Sequence, residues 1–221
     1  MVTTIEQGTT DEVLGPTQVQ SIRAAYDLIG RKGVHRVSLQ EIADRAGTSK
    51  GNVLYHFKTK DGLILKTFEW VLSRTGDRIH EAIRGETSSR RQVSLMIDAI
   101  FVNPEANRRF YLAYLDLLGH ATRMTEFEAV AAAFRSIVDS AYAQVIERGV
   151  SESVYRVDDV DEAARIVRAI IDGLFLQWLQ ETDWVRLHPK YQRRCERAVL
   201  AYLGVDDEFI DTVSSESVGP S

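Results

Sequence analysis

Ser38-Leu39-Gln40-Glu41-Ile42-Ala43-Asp44-Arg45-Ala46-Gly47-Thr48-Ser49-Lys50-Gly51-Asn52-Val53-Leu54-Tyr55-His56-Phe57 decides how the rest of the chain is read. Ser38 followed three residues later by Glu41 forms a capping box, so a helix starts there. Gly47 can take a positive φ without penalty and supplies the turn. A second short helix begins near Thr48 or Ser49. Two helices cross steeply only where the crossing is thin, and Ala43 provides that. Leu39, Ile42, Ala46, Val53 and Phe57 form one apolar seam. Ser49, Lys50, Asn52, Tyr55 and His56 then face outward. They supply donors, a cation and an aromatic ring with a polar tip, groups that suit base edges and phosphates in a major groove. The N–H groups opening the helix are a further phosphate site.

On the N-terminal side, Pro16 and the capping-box pattern Thr17-Gln18-Val19-Gln20 start a first helix. Val19, Ile22, Tyr26 and Ile29 mark one face, and Gly30 and Gly33 end it. On the other side a fourth helix begins near Thr59, with Asp61 at its positive end, and runs past Trp70 to about Ile83. The body continues in the same helical period: Ser89 to Phe101, then Pro104 at a first turn and on to about Gly119. Next come about Thr125 to Arg148, stopped by Gly149, a helix that follows Asp158 and Asp159 and ends near Gln180, and about Pro189 to Leu203, stopped by Gly204. No sustained alternation or hairpin signal argues for strands.

The net charge of −5 argues at first against a polyanionic partner, but its distribution reverses that. Thr17 to Lys66 holds nine basic and four acidic residues, a local surplus of five positive charges, whereas the rest is acidic. Cys195 is the only cysteine, so no intrachain disulfide can form. No leader pattern and no apolar run of about 18–20 residues are visible, which points to a soluble cytoplasmic protein without membrane partners. His35, His80, His120 and His188 have no ligand spacing, so no metal and no cofactor are expected. No nucleophile elbow, phosphate loop or carboxylate pair argues for an enzyme.

From Gly33 to Lys60 the chain resembles the TetR (tetracycline-repressor-like) family of bacterial transcriptional regulators. The pattern Gly-x-x-x-x-Ser-Leu-x-x-Ile-Ala spans Gly33 to Ala43. It is followed by Ala46-Gly47-x-Ser49-Lys50-Gly51-Asn52 and by Tyr55-His56-Phe57-Lys58-Thr59-Lys60. The resemblance implies an all-α fold, with an N-terminal three-helix DNA-binding module on a larger helical ligand-binding and dimerisation domain. By composition residues 1–16 read as a disordered arm and 205–221 as a flexible tail; between them the resemblance implies the helix-turn-helix (17–66) and the effector and dimer domain (67–204). Ser38 and Lys60 would hold phosphate and Gln40 would reach the groove edge. Lys50, Gly51 and Asn52 would face bases beside Thr48 and Ser49, and Tyr55 and His56 would bind backbone. Many members have tyrosine where this chain has Leu54, so one polar contact is missing. The implied function is a repressor released from a palindromic double-stranded operator by a small-molecule effector. The residues alone leave another reading open: an all-helical small-molecule-binding protein or enzyme whose basic module binds another anion.

The helix before the last is apolar nearly all round, which calls for more than one buried face. Ile166, Ile170 and Leu174, with Tyr191, Cys195, Ala198 and Tyr202 of the last helix, are candidates for a homodimer interface resembling an intermolecular four-helix bundle. Phe110, Tyr114, Asp116, Phe134, Asp172, Phe175 and Trp178 combine aromatic rings with carboxylates, the lining a lipophilic or cationic effector would want.

Overall fold

A computed structural model describes residues 14–121, 132 and 135–205; the arm before Leu14 and the tail after Val205 lie outside them. Among the described residues every regular element is helical and no strand occurs. The helices are α1 (Pro16–Lys32), α2 (Leu39–Arg45), α3 (Lys50–Phe57), α4 (Lys60–Ile83), α5 (Ser89–Ile100), α6 (Pro104–Ala121), α7 (Ser140–Ser151), α8 (Val160–Leu179) and α9 (Trp184–Tyr202). The chain divides into two units, one from Met1–Asp77 and Arg108–Phe134, the other from Arg78–Asn107 and Arg135–Ser221; α4 and α6 contribute to both.

In the first unit the core is made by Ile22, Ala25 and Ile29 of α1, Ile42 and Ala43 of α2, Val53 and Phe57 of α3, and Leu63 and Ile64 of α4. Leu39, expected in this seam, is half-buried. The first helix starts earlier than its capping pattern indicates. Gly15 is the cap, its N–H donating to Gln18 Oε1 at 2.9 Å, because Pro16 at the first turn is pre-set for the helix and needs no donor partner. The helix also runs through Gly30 to Lys32. Gly30 is not a stop but a place of close approach: a Cβ there would lie 2.4 Å from Arg109 Cγ. Gly33, with φ +81, ends the helix.

In the second unit α8 buries Ala163, Ala164, Val167, Ile171, Phe175 and Trp178. Asp159 caps it, accepting from Glu162 N at 2.9 Å. The last helix begins at Trp184, five residues before the expected Pro189, which sits inside it. Asp183 supplies the carbonyl that Leu187 N uses, and the Trp184 carbonyl accepts Trp178 Nε1 at 2.7 Å, so the first turn is held without help from Pro189. The expected helix from about Thr125 appears as α7 preceded by a π-type turn over Arg135–Asp139; Thr125 to Phe134 falls outside the described residues apart from Ala132. It continues through Gly149 to Ser151. Gly149 is there for packing: a Cβ would sit 2.0 Å from the Tyr155 ring, whose hydroxyl donates to Ser89 O at 2.6 Å.

Candidate nucleic-acid interface

The start of α2 is built by reciprocal capping. Ser38 Oγ accepts from Glu41 N at 3.2 Å, and Ser38 N donates to Glu41 Oε2 at 3.0 Å. Lys32 Nζ reaches Glu41 Oε1 at 2.7 Å. The Lys32 ammonium first, then the Ser38 donors, hold the Glu41 carboxyl down to a pKa of about 2. Gly47, at φ +67, makes the turn, and Thr48 N donates to Ala43 O at 3.0 Å. Ser49 caps α3 by accepting from Asn52 N at 3.1 Å.

Once Val53 and Phe57 are committed to the core, helical period turns the rest of α3 outward. Ser49, Lys50 and Gly51 are exposed, Asn52 and His56 are partly so, and Tyr55 is 71% exposed, more than any other large apolar side chain of the described residues. Asn52 Nδ2 donates to Thr48 Oγ1 at 2.9 Å, which orients the amide. A Cβ on Gly51 would meet only Ser49 Oγ, at 3.8 Å. Among the described residues nothing requires glycine there. Ser38 and Gln40 are exposed on α2, Gln40 Nε2 donating to Asp44 Oδ1 at 2.7 Å.

The turn into α4 is tightly specified. Lys58 takes φ +66, unusual for a residue with a side chain, and its ammonium donates to Tyr55 O at 2.9 Å. Thr59 Oγ1 accepts from Gly62 N at 2.9 Å, and a Cβ on Gly62 would lie 2.4 Å from Phe57 O. Lys60, expected to meet phosphate, donates to Val34 O at 2.8 Å. The peptide on the other side of Val34 is also held: Val34 N donates to Asp116 Oδ2 of α6.

Residues 22–67 match the model for bacterial regulatory proteins of the tetR family, and residues 89–204 match that for the C-terminal region of BetI-type transcriptional repressors. The chain belongs to the TetR family. Among TetR-family relatives, the regulator BetI of Brucella canis is 26% identical over 156 residues, 71% of this chain and 76% of that protein. The fatty acid metabolism regulator protein of Bacillus subtilis is 27% identical over 86 residues, 39% of this chain and 44% of the relative, so less than half of that protein is matched. Solved structures share the fold. A regulator from Saccharomonospora viridis in complex with choline gives a TM-score of 0.71 at 22% identity, covering 82% of this chain and 94% of that one. A TetR regulator from Haloarcula marismortui gives 0.70 at 23%, covering 85% and 96%.

The aromatic residues expected at an effector pocket of this TetR-family chain fall into separate groups. In the first unit Phe110 and Tyr114 stack with ring centroids 6.1 Å apart, and Tyr114 stacks on Phe68 at 5.8 Å. A small apolar cleft beside them is lined by Tyr26, Ile29, Thr67, Phe68, Val71, Phe110 and Ala113. Asp116 does not line this cleft and is engaged with Val34. In the second unit Phe175 and Trp178 are fully buried and pack with Phe101, Trp184 and His188. Burial pushes the His188 imidazole below its ordinary pKa, and its Nε2 pairs with Asn107 Oδ1 at 2.9 Å. Asp172 is half-buried, its charge acting on Tyr142 and Cys195, and Phe134 lies outside the described residues.

The expected dimer residues divide in the same way. Ile166, Ile170 and Leu174 of α8, with Ala198 and Tyr202 of α9, keep part of their surface open. Tyr191 is 4% exposed and Cys195 fully buried within the single chain, so both belong to its own core. Residues that pattern reading missed are Asp27, which pairs with Arg31 at 3.1 Å, with Arg45 and with Arg109 at 3.5 Å, and Gly62. Only the Asp27–Arg31 spacing of four carries a sequence signal.

Proposed function

We propose that the chain is a homodimeric, sequence-specific DNA-binding repressor, acting in the cytoplasm on a palindromic operator and released by a small effector. The observation that carries this is the outward polar face of α3 with an unobstructed Gly51 at its centre. Lys50, Gly51 and Asn52 read bases, with Thr48 and Ser49 beside them; Ser38, Gln40, Tyr55 and His56 position the helix on the backbone. Lys60 can reach phosphate only by leaving the Val34 carbonyl, so its role is divided between the loop and the duplex. An eight-residue helix reads few bases, and twofold symmetry supplies a second copy one DNA turn away, about 34–36 Å. The half-open residues Ile166, Ile170, Leu174, Ala198 and Tyr202 are the pairing face.

The effector belongs to the aromatic-rich body, and the candidates remain Phe110 and Tyr114 in one group and Asp172, Phe175 and Trp178 in the other. Choline, held by the similarly folded Saccharomonospora viridis protein, makes small cations the first class to test. Effector binding acts by favouring one spacing of the two α3 helices over another. Selection of bound sites from random duplexes at fixed salt tests the reading: a palindrome with half-sites one turn apart is expected. Asn52→Ala should flatten the preference at one position per half-site by about 5- to 150-fold, the equivalent of about 1–3 kcal/mol. Recovery of no common sequence, or an Asn52→Ala protein with unchanged preference, refutes it. Thermal shift against quaternary ammonium compounds and fatty acyl compounds tests the effector.

A further inference from the structure

Arg186, Lys190, Arg193 and Arg197 follow one another along α9 at intervals of four, three and four, which puts all of them on one face of the helix. Each is exposed. The opposite face is the buried one, carrying His188, Tyr191, Cys195 and Val199. On the flank, Gln192 bonds to Asp98 at 2.7 Å and Glu196 to Ser94, so the polar residues facing α5 are engaged. Arg186 pairs with Asp183, but Lys190, Arg193 and Arg197 have no ion-pair partner among the described residues. Three like charges on adjacent turns repel one another, and a negatively charged occupant would relieve that.

The chain itself carries such an occupant. α9 ends with Gly204 at φ +78 and Val205 N bonded back to Leu200 O at 3.1 Å, the arrangement that reverses a chain at a helix terminus. Asp206, Asp207, Glu208, Asp211 and Glu216 follow, five acids and no base between Val205 and Ser221. We propose that this acidic segment folds back and docks on the basic face of α9 in its own chain. The lengths match. At about 1.5 Å per residue Arg197 lies about 12 Å and Lys190 about 22 Å back along the helix from Val205. At about 3.3 Å per residue Asp211 reaches about 20 Å and Glu216 about 36 Å. Asp211 therefore spans to Arg197 and Arg193, and Glu216 to Lys190 and Arg186. Tethering holds the segment at an effective concentration in the millimolar range, which a separate acidic partner must exceed. The docked segment neutralises a second cationic face, leaving the α3 face as the principal attraction for DNA.

A fluorophore on Ser215→Cys tests this in the full chain, because buried Cys195 leaves the new thiol as the one to label. At low salt the label's anisotropy should be high. It should fall when salt is raised to 1 M, where the Debye length is about 3 Å, and fall equally in the triple variant Lys190→Gln, Arg193→Gln, Arg197→Gln. The reciprocal variant Asp211→Asn, Glu216→Gln guards against a misfolded triple variant and should lower the anisotropy too. Carbodiimide coupling should join Lys190 to Asp211 or Glu216 within one chain, as judged by mass in a mixture of light and heavy-nitrogen protein. Anisotropy indifferent to both variants overturns the proposal. So do cross-links formed only between chains, which would assign the face to a second copy. Displacement of the segment by micromolar duplex DNA at physiological salt overturns it as well, assigning the face to nucleic acid.

Discussion

Asp116→Ala isolates one contact between α6 and the loop that follows α1. Asp116 Oδ2 accepts the Val34 N–H, and Val34 is 1% exposed, so the N–H that loses its acceptor is largely shielded from water. A hydrogen bond to a charged group contributes about 1.5–3 kcal/mol, and an unsatisfied buried donor costs about 1–3 kcal/mol. A loss of about 2 kcal/mol is expected, roughly a 30-fold rise in the population of molecules with this loop open. Asp116→Asn keeps an acceptor at the same place without its charge and should lose about half as much. Two measurements check the expectation: the urea midpoint, and hydrogen exchange at the Val34 amide. Exchange should accelerate about 30-fold in Asp116→Ala, and operator affinity should fall by no more than that factor. An unchanged midpoint together with unchanged exchange at Val34 would refute the reasoning, because the bond would then be replaced at no cost.

Glu41 should titrate with a midpoint near 2. Its folded pKa lies below the usual value of 4.5, so the stabilisation is complete above 4.5 and is lost as pH falls toward 2; a carboxyl NMR midpoint at 4 or higher contradicts this. Cys195, whose thiol burial pushes up to about 12 with the Glu196 and Asp172 charges adding to it, should resist maleimide at pH 8 until denaturant is added. Gly149→Ala must displace the Tyr155 ring and should destabilise by about 1–3 kcal/mol, against less than 1 kcal/mol of gain from helix propensity, as read by thermal unfolding. Lys60→Ala should reduce the salt slope of operator binding by about one unit and also loosen the Val34 loop; an unchanged slope would confine Lys60 to the loop.

What the sequence made legible was local. The Ser38–Glu41 capping box, the Gly47 turn, the Ser49 start of α3 and the Asp159 start of α8 are hydrogen bonds between residues three to five apart, so spacing alone encodes them. The outward set on α3 follows from period once two residues are assigned to the core. Three readings failed because a residue type with two uses was given the commoner one. Gly30 and Gly149 look like helix stops but serve close contacts with Arg109 and Tyr155, and Pro189 looks like a helix start but lies inside α9. The partners in those contacts are 79 and 6 residues away, and no helical period announces them. Asp116 illustrates the same limit. Its carboxylate was read as lining an effector pocket, but the fold brings it to Val34, 82 residues earlier. Tyr191 and Cys195 share the helix face that was assigned to pairing, and the chain's own core takes them first.

The contacts around Asp27 and Val34 make the DNA-binding module more than three helices packed by an apolar seam. Asp27 of α1 gathers Arg31 of its own helix, Arg45 of α2 and Arg109 of α6, while Arg109 also lies over the Tyr26 ring at 5.9 Å and against Gly30. Val34 is held through its N–H by α6 and through its carbonyl by Lys60 of α4. Apolar burial is non-directional, whereas bonds to one carboxylate and one peptide are directional and fix how the helices stand. A shift of α6 or α4 by an ångström or more must therefore either carry α1 and α2 with it or break the two charged hydrogen bonds at Val34, about 1.5–3 kcal/mol each, and the solvent-screened pairs at Asp27, about 0–1 kcal/mol each. In the proposed effector mechanism, a differential ligand affinity of a few kcal/mol would match the size of these bonds.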